Sequence, residues 1–195
     1  MTHSKAELLK KMSVNTWFDG LPIAERKALL AVAIEQEVSP GEAVYRRGDA
    51  SGGFYGVLSG VFRVTASGED GREGILSVLE AGHWFGETSM VDGEIRPHDV
   101  VALQAGTLLV ITPRDFQGLM QRIGFVQGIS VLLATRVRNA IMLASGRASD
   151  SVPTSGPALV AVAHLLGYRP PADMLEEYRR TTRRARGVVE RVFYG

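Results

Sequence analysis

The chain has 195 residues, of which 45% are hydrophobic and 22% charged, with a formal net charge of +1. That is enough for one sizeable core, or one domain and a small second one, and it excludes wholesale disorder. The absence of cysteine removes disulfides, thiolate zinc sites, cysteine-ligated iron–sulfur clusters and thiol catalysis.

No apolar run reaches bilayer-spanning length, and residues 1–17 are polar and amphipathic without an apolar signal core. A cytoplasmic setting with no membrane partner is expected. The first predicted helix covers 24–34, where Leu29, Leu30, Ala33 and Ile34 share one side, with Trp17 and Phe18 ahead of it as packing anchors. Turn signals then recur at Ser39-Pro40-Gly41, Gly48-Asp49, Gly52-Gly53, Gly60, Gly68 to Gly71, Gly82, Asp92-Gly93 and Gly106. Between them lie short β-rich runs at 54–58, 61–65, 74–79, 100–103 and 107–112. Many short strands separated by glycine turns predict an antiparallel jelly roll.

At Thr112 the pattern changes. Thr112 is a helix N-cap candidate, Pro113 suits the first helical position, and Asp115 adds an acid to the first turn. A longer helix is predicted over about 125–145, with Val126, Ile129, Leu133, Val137, Ala140 and Ala144 forming a narrow apolar stripe. The stripe reads either as a seam for a partner helix in a homodimer or as the face that packs on its own domain. Residues 146–157, rich in Gly, Ser and Pro, are a linker by composition. Short helices are expected at 158–166 and from about 172 toward 192. From Arg169 onward seven arginines face four acids, a balance of +3, against −2 for the preceding residues. A basic tail on a mildly acidic body suggests a polyanion partner.

The chemistry is concentrated in Gly82-His-Trp-Phe-Gly-Glu-Thr-Ser-Met90 and the segment that follows it. A helical turn starting near Gly86 would offer free N–H groups to an anion, with Gly86 letting a ligand approach the backbone. Glu87 can accept hydrogen bonds from hydroxyls, and nine residues later Arg96 presents a planar fork suited to phosphate or carboxylate. One pocket holding Gly86, Glu87, Thr88 and Arg96 would suit a sugar phosphate. The alternative is that Arg96 pairs internally with Glu87, Asp92 or Asp99. The four histidines are scattered without metal-ligand spacing, and no nucleophile–base–acid set is visible, so neither a metal site nor an enzyme is expected.

Taken in order, Trp17-Phe-Asp-Gly-Leu, Val38-Ser-Pro-Gly-Glu, Tyr45-Arg-Arg-Gly-Asp, Phe54-Tyr-Gly-Val-Leu-Ser-Gly, Gly82-His-Trp-Phe-Gly-Glu and Thr112-Pro-Arg-Asp-Phe resemble the CRP/FNR family of transcription regulators from about Trp17 to Leu143. The resemblance implies an α+β chain: a cyclic nucleotide-binding jelly roll, a long C-terminal dimerisation helix and a DNA-binding tail. It implies a cyclic AMP-like effector, with Glu87 accepting from the ribose 2′-hydroxyl and Arg96 pairing with the cyclic phosphate beside the amides of Glu87 and Thr88. Three features depart from the family pattern. Pro97 follows the arginine where an N–H or hydroxyl donor is usual; His98, if protonated, would compensate. Ala140 and Ile141 stand where hydroxyl donors face the purine. The tail is short for a winged helix-turn-helix and ends without the wing.

The tail itself admits three readings. Ala163-His-Leu-Leu-Gly167 has helix-turn-helix spacing, which would send Arg179, Arg180, Arg183 and Arg184 to duplex DNA. It also reads as a solvated basic helix docked on the sensor, or as a shifted reading frame, since no lysine follows residue 27. The organisation expected is a sensor over 1–145, a linker over 146–157 and a short basic helical segment over 158–195. The function expected is a homodimeric, effector-controlled DNA-binding regulator. The rival is a stand-alone effector-binding module that works through protein partners.

Overall fold

The structure, a computed structural model, describes residues 3–67 and 73–145, and beyond them 159–160, 163, 170–172 and 175–176. The predicted linker, most of the two tail helices and the arginines at 179, 180, 183 and 184 lie outside the described residues. The chain divides into two compact units, 1–134 and 135–195. The strands all belong to the first.

Three helices open the chain: α1 (Lys5–Met12), α2 (Thr16–Gly20) and α3 (Ile23–Val32). Ser4 caps α1 through a reciprocal pair with Glu7, and the Asn15 side chain caps α2 by accepting from the Phe18 N–H. The strands are β1 (Ile34–Val38), β2 (Ala43–Tyr45), β3 (Phe54–Ser59), β4 (Phe62–Ser67), β5 (Glu73–Leu79), β6 (Trp84–Phe85), β7 (Asp99–Ala102) and β8 (Gly106–Ile111). A short helix, α4 (Glu87–Asp92), interrupts them, and α5 (Pro113–Leu119) and α6 (Ile123–Ser145) follow. Two antiparallel four-stranded sheets result, in the orders β1-β8-β3-β6 and β2-β7-β4-β5. This is an antiparallel β-roll with helices packed against it.

Two-residue alternation explains the layering. On β3, Phe54 and Leu58 point into a helical core with Leu8, Met12, Phe18 and Leu29, while Tyr55 and Val57 point into a core between the sheets with Phe62, Val100 and Leu108. β8 repeats this: Leu109 and Ile111 face the helices and Leu108 faces the second sheet. The first sheet is therefore covered on both faces. This is why β3 reads as an unbroken apolar run rather than an alternating one.

The helix predicted over 24–34 is shorter than expected. α3 ends at Val32, and Ile34, expected on its buried side, begins β1 and is 56% exposed. The β-branched Ile34 and Val38 at its ends pair with β8 instead. The α5 start signal holds: Thr112 accepts from the Asp115 N–H at 3.2 Å, with Pro113 in the first turn. In α6, Phe125, Ile129 and Leu132 are the positions buried in the helical core, and Leu133 packs partly against it. The predicted stripe is thus divided. Ile129 serves its own domain, and Val126, Leu133 and Val137 are half-buried on the flank. Ala140 lies past the described side chains.

The N-terminal helices are fastened to the first turns of α6. Trp17 Nε1 donates to the Gly128 carbonyl at 2.6 Å, and Arg122 Nε donates to Glu25 at 2.5 Å. Gly124 and Gly128, one turn apart, make the approach possible. A Cβ on Gly124 would press on the Glu25 side chain, and one on Gly128 would collide with Leu21.

Candidate functional site

The site lies where β6 runs into α4. Gly86 caps α4 with a left-handed φ of 87°, a conformation glycine adopts freely. A Cβ there would lie 3.0 Å from an Arg96 terminal nitrogen and 3.2 Å from the Gly53 carbonyl. Glycine is therefore needed because the arginine, rather than a ligand, closes on this backbone.

Arg96 is 1% exposed. Its Nη1 donates to the Gly86 carbonyl at 2.8 Å and its Nη2 to the Gly53 carbonyl. The guanidinium lies over the Tyr45 ring at 4.3 Å, with the Tyr55 ring at 5.7 Å. Tyr55 in turn stacks on Phe85 at 5.1 Å and lies 5.8 Å from Tyr45, so the two tyrosine rings from β2 and β3 lie against the charge and Phe85 of β6 packs on both of them. Burial pushes the Tyr55 phenol up, and the guanidinium beside it works in the opposite direction. Backbone pairing fixes where Arg96 starts: its N–H donates to the Asp49 carbonyl at 2.8 Å, and its carbonyl accepts from the Gly48 N–H at 2.9 Å.

Arg96 is thereby joined to the Gly86 carbonyl, and Glu87 follows Gly86 in the chain. Glu87 is 4% exposed in the first turn of α4, and Thr88 next to it is half-buried. Ser89 is also buried, its hydroxyl directed at the Ile95 carbonyl at 3.4 Å. The Asp99 carboxylate accepts from the Arg47 N–H. His98 is half-buried, and burial, reinforced by the positive charge of Arg47, pushes its imidazole down to about 4 against the pull of Asp99. It is therefore uncharged near neutrality and does not provide the cationic donor expected to compensate for Pro97.

Arg96 Nε is buried and, among the described residues, has no hydrogen-bond partner. A buried unpartnered N–H costs about 1–3 kcal/mol, and here it belongs to a charged group. That unfilled donor on a planar guanidinium fits a compact anion. Pro97 does not add to that fit, having no N–H to give. The residues that sequence reasoning missed are Tyr45, Tyr55, Phe85 and Gly53. Tyr45 and Tyr55 lie inside motifs that mark the fold, but which rings meet Arg96 depends on the pairing of β2 with β7 and of β3 with β6. Among the described residues no group of three or more His, Asp or Glu side chains could hold a metal ion, and no helix is long and apolar enough to cross a membrane.

Residues 35–123 match the cyclic nucleotide-binding domain family. The cyclic AMP receptor protein of Thermus thermophilus is 31% identical over 124 residues, which are 63% of this chain and 57% of that protein. The bifunctional glutamine synthetase adenylyltransferase/adenylyl-removing enzyme of Streptomyces avermitilis is 42% identical over 125 residues, 63% of this chain and 11% of the enzyme. The chain thus spans about a tenth of that enzyme's length and little over half of the receptor's. The N-terminal domain of a transcriptional regulator from Streptomyces coelicolor superposes with a TM-score of 0.57 at 26% identity, covering 66% of this chain and 92% of that domain.

Proposed function

We propose that this chain, whose residues 35–123 match the cyclic nucleotide-binding domain family, is the sensor of a homodimeric transcription regulator of CRP/FNR type that binds a small anionic effector and thereby controls contact with DNA. The observation that carries this reading is the buried Arg96, with its unfilled Nε donor and its bond to the carbonyl of Gly86, the residue before the buried Glu87. A guanidinium pairs with a cyclic phosphate, a carboxylate accepts from a sugar hydroxyl, and amides near Glu87 and Thr88 complete the anion contacts. Arg179, Arg180, Arg183 and Arg184 are the proposed phosphate-contacting residues on duplex DNA. Val126, Leu133 and Val137, half-buried on one flank of α6, are the proposed dimer seam, with Ala140 next along the helix.

A melting experiment with cyclic AMP, cyclic GMP, cyclic di-GMP and small dicarboxylates tests the effector assignment. A ligand at a hundred times its Kd stabilises the native state by about 2.7 kcal/mol through mass action, which raises the Tm. We expect a cyclic nucleotide to do this for the parent protein and to lose the effect in Arg96→Ala. Equal stabilisation of both proteins would remove Arg96 from the site.

A second reading has its own support. The 42% identity over 125 residues is shared with an enzyme whose name places it on another protein, glutamine synthetase. On this reading the chain is an effector-binding module that works through a protein partner, without DNA. Binding to duplex DNA that falls steeply with salt separates the two, because displaced counterions make phosphate contacts salt-sensitive. Retention of purified glutamine synthetase by the chain, with no DNA binding at low salt, would favour the second.

A further inference from the structure

We propose that Tyr55 is an effector-binding residue, its phenol hydroxyl donating a hydrogen bond to the oxyanion that Arg96 holds. This rests on the effector-site reading above and adds to it one residue and one bond.

Tyr55 lies on β3 and is 6% exposed. Its ring stacks on Phe85 with planes 18° apart. The Arg96 guanidinium carbon is 5.7 Å from the ring centre, and the phenol oxygen faces that guanidinium. The hydroxyl end of the ring lies at the Gly52-Gly53 turn. A Cβ on Gly52 would stand 3.5 Å from the phenol oxygen, and one on Gly53 would stand 3.4 Å from the ring carbon that bears it. Gly53 is also the residue whose carbonyl accepts from Arg96 Nη2. One turn of backbone therefore meets both the tip of the guanidinium and the tip of the phenol.

A phenol has one proton to give and lone pairs to receive, whereas a guanidinium is a donor only. Toward Arg96 the Tyr55 oxygen can thus serve only as an acceptor, and its proton is left for another group. Among the described residues no acceptor takes it. Buried phenols ordinarily find such a partner. Burial also keeps the proton on the oxygen near neutrality, since it pushes the phenol above its ordinary range. Two neighbouring side chains consequently each carry an unused donor: Arg96 its Nε and Tyr55 its hydroxyl. An oxyanion has acceptor atoms in several directions and no proton of its own to place, so it satisfies both, and a cation satisfies neither. Residue 97, next to the arginine, is a proline and offers no donor, and His98 is uncharged near neutrality. The Tyr55 hydroxyl needs no protonation event to donate.

Tyr55→Phe tests this on the full chain, because it removes the hydroxyl and keeps the stack on Phe85. By calorimetry it should bind cyclic AMP roughly tenfold or more weakly than the parent, the loss expected for one hydrogen bond to a charged group. Without ligand the two proteins should melt together, since the hydroxyl has no acceptor within the fold. A variant that fails to fold, or that melts lower without ligand, assigns the hydroxyl to the fold and overturns the proposal. Adding cyclic AMP to the parent should also produce a tyrosine difference band in the near ultraviolet that Tyr55→Phe lacks. No band, or one of equal size in both, overturns it. Equal affinities overturn it too, while leaving the effector site in place. If the parent binds no cyclic nucleotide, that reading falls, and thermal stabilisation by inorganic phosphate becomes the probe. Greater stabilisation of the parent than of Tyr55→Phe then upholds the hydroxyl, and equal or absent stabilisation overturns it.

Discussion

Pro97 brings neither an N–H nor a hydroxyl to the position after Arg96, and His98 beyond it is uncharged near neutrality. A donor at residue 97 is the change with most to add. Pro97→Ser should strengthen cyclic nucleotide binding by about ten- to a hundredfold, the equivalent of one charge-assisted hydrogen bond of ~1.5–3 kcal/mol, as read by calorimetry. No change in Kd would mean that residue 97 does not face the anion. His98 makes a separate prediction about stability. Its native value of about 4 lies below the 6.5 of a free imidazole, so the unfolded chain takes up the proton first as pH falls. Its contribution is complete above about 6.5 and is lost as pH drops from 6.5 through 4, by up to ~3 kcal/mol. His98→Asn should flatten urea-unfolding stability across that window, and an unaltered slope would exonerate the imidazole.

Among the elements, those whose signals are local were legible in the sequence. The α5 start was readable because a Thr–Pro–x–Asp cap is a short-range hydrogen-bonding device, and β3, β4, β5, β7 and β8 were readable as apolar runs between glycine turns. β1 was read in part as helix because Ile34 also completes a helical face, and its strand state is decided by pairing with β8, 68 or more residues away. β2 and β6, three and two residues long, carry too few positions to show any period. Gly86, Glu87 and Arg96 were legible as candidate site residues, whereas the aromatic cluster beside Arg96 was not, since Tyr45, Tyr55 and Phe85 meet only through two different sheets. The notch at Gly124 and Gly128 is likewise tertiary. Gly128→Val should drive a methyl into Leu21 and disturb the Trp17 bond, lowering stability by about 1–3 kcal/mol and the Tm with it. A Tm equal to that of the parent would show that α2 is not seated on α6 in solution.

On the scale of the whole molecule, the proposed dimer rests on α6. Leu133 packs partly against its own core, so a charge there would disturb the fold as well as any seam. Val137 is half-buried, is not part of either hydrophobic core, and is the cleaner probe. Light scattering should report a dimer for the parent and a monomer for Val137→Glu, and a monomeric parent would dismiss the seam. The arginine at the centre of the site has a consequence that reaches beyond this chain. By joining the carbonyls of Gly53 and Gly86, residues 33 apart, it rivets the start of β3 to the cap of α4 whether or not anything else is held there. A descendant that abandoned its metabolite would still be under pressure to keep the rivet. Retention of this arginine in a sequence is thus a signature of architecture, and the neighbouring positions are the better witnesses to binding.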